Sequence, residues 1–319
     1  MSMDFSRFKR LARYYARSER EIGIGLLITS MILAVFLFIP LAQKKIPPAP
    51  VTVVATSTVP NAFAQVPLQA QAAIVYDLST GETLYAKNAD AQLPLASLTK
   101  LLTVYAALVK LSPDTPITIP AEAIHLDGPH AFNVGQTFSL ADLARLTLTA
   151  SLNDGAAAIA SATAARENRS QHEMLAGAAE ALGLLQTYAV NGNGLDVNAA
   201  VSGGYGSARD LAVLSGALVA RAPMIALATT ESFAEAISKG GTSFKVKNTD
   251  PMIATIPRLL LSKTGFTDLA GGNLALVFDS GMQHPIAVVV LGSSEKARFT
   301  DGTTLIFATL AHFAGVASL

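Results

Sequence analysis

The sequence predicts a single α/β (α+β) domain over residues 72–319, with a mostly antiparallel sheet flanked by helices. Two strand-like runs around a Ser-Thr-Gly turn open this region, helical stretches fill its middle, and three strand-like runs and a helix close it. We expect the first and the last strand to pair, because each needs a neighbour in the sheet.

Composition restricts the classes of function. The net charge of zero does not indicate a nucleic acid partner. The chain has no cysteine, which excludes disulfides and thiolate metal sites. The histidines are too scattered for a metal triad, so we expect neither a zinc peptidase nor a cofactor; they are His125, His130, His172, His284 and His312.

The N-terminal segment contains an apolar run without a charged residue, from Ile22 to Ala42. At about 1.5 Å per residue, this run would extend about 30 Å as a helix, the thickness of the hydrocarbon core of a bilayer. Lys44 and Lys45 follow the run, whereas a larger group of basic residues precedes it: Arg7, Lys9, Arg10, Arg13, Arg17 and Arg20. The positive-inside rule therefore predicts a cytoplasmic segment (1–21), one transmembrane anchor (22–42) and an extracytoplasmic domain at the cell membrane.

A cleaved signal peptide is the alternative interpretation of this segment. Its apolar core would extend over only about 7–15 residues, with a cleavage site of small residues close behind. The nearest Ala-x-Ala pattern, Ala62-Phe63-Ala64, lies far beyond the run, so the sequence favours the uncleaved anchor. Residues 43–71 are rich in proline and lack apolar periodicity, which is typical of an extended tether.

Capping patterns predict the helices in the middle of the domain. A long helix is expected to begin at Ser97 and to end near Ser112-Pro113. Two more are expected where a serine N-cap is followed three residues later by an aspartate: Ser139 with Asp142, and Ser207 with Asp210.

The C-terminal part of the domain is predicted to return to strands. These are LLLSKTG, GGNLALVFDSG and HPIAVVVLGS, with a turn near Gly281 between the last two. A final helix is expected over about residues 304–314.

Ser97 and Lys100 lie three positions apart at the start of the first predicted helix. Residues at this spacing share a helix face, so the hydroxyl and the amine can lie within hydrogen-bond distance. The helix is apolar most of the way round, and its burial would favour a neutral lysine, which is a general base beside a nucleophile. In the structural alternative, Ser97 caps the helix and Lys100 extends to water. The Ser-x-x-Lys pattern also occurs at Ser6 and Ser293, so the spacing alone leaves both interpretations open.

Ser151-Leu152-Asn153 lies between two predicted helices, where short polar side chains commonly act as caps. The functional alternative is a second hydroxyl, that of Ser151, which transfers a proton. The Asn153 amide would then hold a carbonyl of a substrate.

Lys263-Thr264-Gly265 follows a strand-like run and precedes another. A lysine and a threonine offer a cation and a hydroxyl for a carboxylate. The glycine would let a substrate backbone approach as an additional strand on the edge of the sheet. The structural alternative is a Thr-Gly turn.

Together and in this order, the three motifs resemble those of the penicillin-recognising serine enzymes: Ser-x-x-Lys, Ser-x-Asn and Lys-Thr-Gly. The stretches YDLSTGETLYAKNADAQLPLASLTKLLT, SLNDGAAAIA, GYGSARDLA and KTGFTDLAGGNLAL are similar to those of the serine-type D-alanyl-D-alanine carboxypeptidases. The resemblance implies a β-lactamase/transpeptidase-like fold with a helical subdomain. It also implies removal of the terminal D-alanine from peptidoglycan stem peptides that end in D-Ala-D-Ala, without a metal, and covalent inhibition by β-lactam antibiotics.

The resemblance implies a role for each motif residue. Ser97 would be the acylated nucleophile, Lys100 its base, and Ser151 the residue that passes a proton to the departing D-alanine. The substrate would be oriented by Asn153 and held at its carboxylate by Lys263 and Thr264, beside Gly265. The backbone N–H groups of Ser97 and Phe266 would form the oxyanion hole. Lys263 would also help to keep Lys100 neutral by like-charge repulsion.

The sequence departs from the family pattern at two places. No Gly-x-Asp-Gly run precedes Lys263, and Leu152 is larger than the residue often found there. A serine β-lactamase and a D,D-endopeptidase would share the motifs, and a catalytically silent wall-binding scaffold is the non-enzymatic alternative. The stretch Ala181–Asp196 contains no glutamate, which argues against a class A β-lactamase, and the intact motifs argue against a scaffold.

Overall fold

A computed structural model of the chain describes residues 18–19, 21–34 and 61–315. The chain divides into two compact units, Met1–Ser57 and Thr58–Leu319. In the first unit, residues 21–34 form helix α1. None of the helices in the described ranges is both long enough and apolar enough to cross a membrane. Residues 35–42 of the predicted anchor, most of the predicted cytoplasmic segment and residues 43–60 of the predicted tether lie outside the described residues.

The strands of the second unit form one large sheet and several small ones. In chain order they are β1 (Ala72–Asp77), β2 (Thr83–Lys87), β3 (Leu93–Pro94), β4 (Pro116–Thr118), β5 (Thr137–Ser139), β6 (Tyr188–Ala189), β7 (Gly204–Gly206), β8 (Phe233–Ile237), β9 (Ser243–Lys247), β10 (Leu259–Thr267), β11 (Gly271–Asp279) and β12 (Pro285–Ser293).

The helices of this unit lie between and after the strands. They are α2 (Thr99–Lys110), α3 (Leu140–Ala150), α4 (Asn153–Glu167), α5 (Gln171–Ala181), α6 (Ala208–Arg221), α7 (Pro223–Ala228) and α8 (Ala297–Phe313), with short 3-10 turns at Ala96–Leu98, Ala121–His125 and Ile253–Thr255.

The large sheet has the order β10-β11-β12-β1-β2, and all its neighbouring strands are antiparallel. The predicted pairing of the first and last strands is confirmed, since Ile74 in β1 lies opposite Val289 in β12. The two predicted hairpins, β1–β2 and β11–β12, are also present. β10, which carries the Lys-Thr-Gly motif, is an edge strand of this sheet.

Both faces of the central strands β1, β11 and β12 are buried, which explains why these strands are almost continuously apolar. The side chains of β12 alternate between two cores. Ala287, Val289 and Leu291 share one core with residues of α2 and α6. Ile286, Val288 and Val290 share the other core with residues of α8. The helices α2 to α5 and the small sheets extend the first of these cores, so the motif-bearing ends of α2, α3 and α4 are held on one side of the large sheet.

Two of the predicted helix caps are confirmed. The hydroxyl of Ser139 accepts the N–H of Asp142 at 3.1 Å at the start of α3. The hydroxyl of Ser207 accepts the N–H of Asp210 at 3.1 Å at the start of α6. Each bond satisfies a backbone donor that the first turn of a helix otherwise leaves unpaired.

The final helix begins at Ala297, earlier than the sequence pattern indicates. Asp301 and Gly302 interrupt the apolar pattern of this part, yet both residues face inward. The buried Asp301 carboxylate accepts the hydroxyl of Ser293 at 2.7 Å. A side chain at Gly302 would come within 2.8 Å of Leu274, so the glycine lets α8 approach the sheet closely.

Residues 61–71, which the sequence pattern assigns to the tether, pack against the domain. Phe63 is buried, and its ring centroid lies 5.6 Å from that of Tyr85. The backbone N–H of Ala70 donates to the Asp301 carboxylate at 2.9 Å, and that of Gln71 donates to the Leu291 carbonyl at 2.9 Å. The segment is ordered by these contacts rather than by helix or strand formation.

Candidate active site

The three sequence motifs meet at the edge strand β10. Ser97 lies in the 3-10 turn that precedes α2, Ser151 lies in the turn between α3 and α4, and Lys263 is in β10 itself. Lys100 Nζ lies 2.7 Å from Ser97 Oγ, and Lys263 Nζ lies 2.9 Å from Ser151 Oγ. Each serine hydroxyl thus has a lysine amine within hydrogen-bond distance.

Ser97 does not cap α2. The N-cap of α2 is Leu98 and that of the preceding 3-10 turn is Leu95, and neither makes a side-chain capping bond. Ala96, beside Ser97, has a φ of +49°, in the left-handed region that residues other than glycine rarely adopt. The strained turn leaves Ser97 partly exposed with its hydroxyl on Lys100, a geometry often found at functional sites.

Lys100 is completely buried and does not extend to water. Its Nζ also donates to the carbonyl oxygen of Asn193 at 2.7 Å. Burial holds the pKa of Lys100 well below its ordinary value, and repulsion from Lys263 lowers it further, while the negative charge of Asp154 opposes these effects. Burial and this repulsion thus favour the neutral amine, which is the form that can accept a proton from Ser97.

The turn that supplies the Asn193 carbonyl is fixed by its own side chains. Asn191 Oδ1 accepts the N–H of Gly194 at 2.7 Å, and Asn193 Oδ1 accepts the N–H of Leu195 at 2.8 Å. Gly194 has a φ of +78°, and any side chain there would collide with the carbonyl of Ala96. The loop between β6 and β7 therefore supports both the lysine and the turn that carries the serine.

Ser151 ends α3 in a left-handed conformation, with φ 58° and ψ 38°. Its backbone N–H completes the helix by donating to the Thr147 carbonyl, which leaves the hydroxyl free for Lys263. Lys263 is buried, and its Nζ also donates to the carbonyl of Thr264 at 2.7 Å. The pKa of Lys263 is lowered to about 7, mainly by burial and to a smaller extent by the positive charge of Arg298.

Asn153 begins α4 with its amide in the site. Its Nδ2 donates to the carbonyl of Asp127 at 2.6 Å, while its Oδ1 is buried and has no hydrogen-bond partner among the described residues. Gly128, next to Asp127, has a φ of +80°, and a side chain there would come within 2.8 Å of Asn153 Nδ2. The unpaired Oδ1 is enclosed by the protein and is not an acceptor that an entering substrate reaches directly. Leu152 is buried in the helical core and does not restrict this side of the site.

Gly265 packs against the turn that carries Ser97. An added Cβ would lie 2.9 Å from the Leu95 carbonyl oxygen and 3.2 Å from the Ser97 backbone nitrogen. The sequence pattern attributes this glycine to the approach of a substrate, but the structure shows that the nucleophile turn itself requires it. The next residue, Phe266, is 44% exposed.

Several supporting residues have no signal in the sequence motifs. Arg298, only 8% exposed, donates through Nη1 to the Gly265 carbonyl at 2.7 Å. Thr249 Oγ1 lies 2.7 Å from Thr264 Oγ1. The buried Asp154 carboxylate accepts two backbone N–H groups of the 131–132 segment at 2.8 Å each. Only Asp154, which directly follows the Ser-x-Asn motif, could have been singled out by position.

The sequence matches peptidase family S11, described as D-alanyl-D-alanine carboxypeptidase, over residues 57–295. A D-alanyl-D-alanine endopeptidase of Pseudomonas aeruginosa is 32% identical to it, over 79% of this chain and 82% of that protein. The D-alanyl-D-alanine carboxypeptidase DacD of Escherichia coli is 30% identical over 73% of this chain. The matched region spans 61% of the length of that carboxypeptidase.

Solved structures share the fold. Penicillin-binding protein D2 from Listeria monocytogenes, in its ampicillin-bound form, is 28% identical, with a TM-score of 0.65 over 76% of this chain and 98% of that chain. A D-alanyl-D-alanine carboxypeptidase from Mycobacterium tuberculosis is 23% identical, with a TM-score of 0.69 over 79% of this chain and 95% of that chain. The predicted α+β fold of the penicillin-binding and transpeptidase proteins is confirmed.

Proposed function

The chain belongs to the family of D-alanyl-D-alanine carboxypeptidases, and we propose that it removes the terminal D-alanine from peptidoglycan stem pentapeptides through an acyl-enzyme on Ser97. One observation supports this function most directly: the Ser97 hydroxyl lies 2.7 Å from the amine of Lys100, which is fully buried. A hydroxyl paired with a neutral amine is an activated nucleophile, and this site needs no metal to generate it.

Acylation begins when Lys100 Nζ takes the proton of Ser97 Oγ. The Oγ attacks the carbonyl carbon of the penultimate D-alanine, and the backbone N–H groups of Ser97 and Phe266 stabilise the negative charge on the carbonyl oxygen. Ser151, beside Lys263, gives its proton to the nitrogen of the leaving residue and regains one from Lys100, which thereby returns to its neutral form. The C–N bond breaks, D-alanine departs, and an ester on Ser97 remains.

Substrate binding uses the edge of the sheet. The peptide lies along β10 as an added strand, with its terminal carboxylate between Lys263 and Thr264 and one of its carbonyl groups oriented by the Asn153 amide. Water then attacks the ester carbonyl, the C–O bond to Ser97 breaks, and the shortened peptide is released. β-Lactam antibiotics form the same bond to Ser97, and the ampicillin-bound relative supports this part of the proposal.

The proposal includes attachment to the cell membrane. Residues 22–42 form a single uncleaved anchor, residues 1–21 lie in the cytoplasm, and the catalytic domain lies outside, where it meets peptidoglycan. The apolar run and the basic residues before it support this arrangement.

A D,D-endopeptidase is the second candidate, favoured by one observation. The P. aeruginosa protein, at 32% identity over 82% of its own length, is named an endopeptidase. The two activities share every catalytic group and differ in the residue that leaves, which is free D-alanine for a carboxypeptidase and a cross-linked peptide for an endopeptidase.

Incubation of the full-length protein with a D-Ala-D-Ala pentapeptide, followed by mass analysis of the product, tests the proposal. We expect the loss of one D-alanine, and no product from the Ser97→Ala variant. A cross-linked peptide dimer in a parallel reaction detects the endopeptidase activity. Product formation that persists in Ser97→Ala, or cleavage at another bond, contradicts the acyl-enzyme on Ser97.

A further inference from the structure

A cavity of about 630 Å³ lies beside β10, away from the two serine–lysine pairs. Its walls come from the end of β9 and the loop after it, residues 247–254, and from the segment that starts α8, residues 295–299. Its volume is in the range of small-molecule sites in proteins, so it can hold more than ordered water.

Two hydrogen bonds connect this cavity to the part of β10 that would hold the substrate carboxylate. Thr249, in its wall, lies with its Oγ1 2.7 Å from Thr264 Oγ1. Arg298, also in its wall, donates to the carbonyl of Gly265. Because Thr264 holds the carboxylate of the leaving residue, the cavity borders the leaving side of the scissile bond.

The cations of the cavity are Lys247, Lys296 and Arg298, and both lysines are exposed. Arg298 is buried, and its Nε has no hydrogen-bond partner in the described part of the chain. Burial lowers the pKa of Arg298, and the negative charges of Glu295 and Asp250 oppose this effect. A further anion in the cavity would favour the charged guanidinium more strongly.

The acidic residues of the cavity are Asp250 and Glu295. The buried Asp250 carboxylate is already engaged, since it accepts the Ser262 hydroxyl at 2.6 Å and the Met252 N–H at 2.7 Å. Glu295 is the exposed carboxylate of the group. Three cations against these two carboxylates leave the wall net positive.

We propose that the cavity receives the side chain of the leaving D-amino acid and prefers a side chain that carries a carboxylate. The inference rests on the proposed function, because that function places the α-carboxylate of the leaving residue at Thr264. A side chain longer than the methyl group of D-alanine would extend from this point toward the cavity that carries Lys247 and Lys296. The chemical class assigned to the leaving group is therefore a D-amino acid with a second, side-chain carboxylate.

Diacetyl-L-lysyl-D-alanyl peptides that end in D-glutamate, D-glutamine, D-lysine or D-alanine test the preference on the full-length protein. D-Glutamate and D-glutamine have the same shape and differ in charge. We expect kcat/KM for the D-glutamate peptide to exceed that for the D-glutamine peptide by about threefold to fivefold, the order of one exposed ion pair. Among the peptides that end in D-glutamate, D-glutamine and D-lysine, we expect the D-lysine peptide to be the poorest substrate. High salt is expected to reduce the differences in kcat/KM among these three.

The double variant Lys247→Met/Lys296→Met removes both charges and keeps two long side chains. We expect its ratio of D-glutamate to D-glutamine hydrolysis to fall to about one. Lys239→Met, which removes an exposed lysine outside the cavity, is the matched control and keeps the wild-type ratio.

The outcomes separate this inference from the proposed function. Hydrolysis of the D-alanine peptide with a D-glutamate to D-glutamine ratio of one or less overturns the inference alone. A ratio that the double variant leaves unchanged also overturns it, because the preference then comes from elsewhere. If none of the peptides is hydrolysed and no penicillin adduct forms on Ser97, the proposed function is overturned, and this inference with it.

Discussion

Lys263 Nζ lies 2.9 Å from Ser151 Oγ, although the two residues are 112 positions apart in the sequence. The contact joins the edge strand β10 to the end of α3 within the site. In the proposed mechanism Lys263 would meet two opposite demands, because the substrate carboxylate would need its charge whereas Ser151 would pass on a proton.

The pH dependence of activity is expected to report on Lys263. Burial and Arg298 lower its pKa to about 7, so the free enzyme loses this charge as the pH rises through about 7. The charged form binds the substrate carboxylate, and kcat/KM for the pentapeptide is therefore expected to fall above that pH. The arginine of Lys263→Arg keeps its charge at higher pH. In this variant we expect kcat/KM to begin to decrease only at a higher pH, even if the maximal rate is lower. A wild-type kcat/KM that rises steadily from pH 7 to 9 would exclude this role.

Lys100→Met is expected to slow the acylation of Ser97 by penicillin by about 10²- to 10⁴-fold, because the variant lacks the general base. The apolar side chain of methionine suits the buried position, so we expect the variant to fold, with a circular dichroism spectrum like that of the wild type. Lys110→Met, at the exposed end of the same helix, is the control and is expected to acylate normally. Wild-type acylation of Lys100→Met would assign this lysine a purely structural role.

Gly265→Ala is expected to slow acylation by about 10- to 100-fold, because its Cβ would displace the turn that carries Ser97. Gly240→Ala is the control, since the nearest atom to a Cβ there is 3.9 Å away. Intact-mass spectrometry at several times after the addition of penicillin measures both rates. Equal rates in Gly265→Ala and the wild type would show that β10 and the turn can separate without consequence.

The penicillin adduct on Ser97 is expected to last for minutes or longer. Asp196 carries the only carboxylate in the stretch Ala181–Asp196, which contains no glutamate. Its Oδ1 accepts the hydroxyl of Thr267 at 3.1 Å. The stretch has no glutamate that could activate water against the ester, as the glutamate of class A β-lactamases does, and the sequence around Asp196 lacks the expected spacing. A rapid return to the unmodified mass, with excess penicillin hydrolysed, would identify a β-lactamase.

The topology of the chain in the membrane is tested on cells. If residues 22–42 form the proposed anchor, protease added from outside digests the catalytic domain and leaves an N-terminal fragment in the membrane fraction. Recovery of a soluble mature form that begins after Ala64 would instead indicate a cleaved signal peptide.

The sequence predicted those features of the site that depend on residue type. The apolar surroundings of Lys100 predicted its burial, and continuous apolar runs predicted the strands, one of which brings Lys263 to an edge. The Asn193 carbonyl could not be predicted, because a backbone oxygen can come from any residue and only the loop geometry selects it. The bond from Arg298 to Gly265 was also inaccessible, because α8 had to be placed against the sheet before its first turn could be assigned a partner.

The contacts of residues 61–71 determine how the domain responds to mechanical load. Tension applied along the chain from its N-terminal side reaches the domain at Phe63 and then at the backbone bonds of Ala70 and Gln71. The next element, β1, is bonded on both sides, to β12 and β2, so the pull acts along the strand and loads both rows of hydrogen bonds in shear. Two strands, β11 and β12, separate the edge strand β10 from β1, so such a force acts on the sheet interior before it distorts the site.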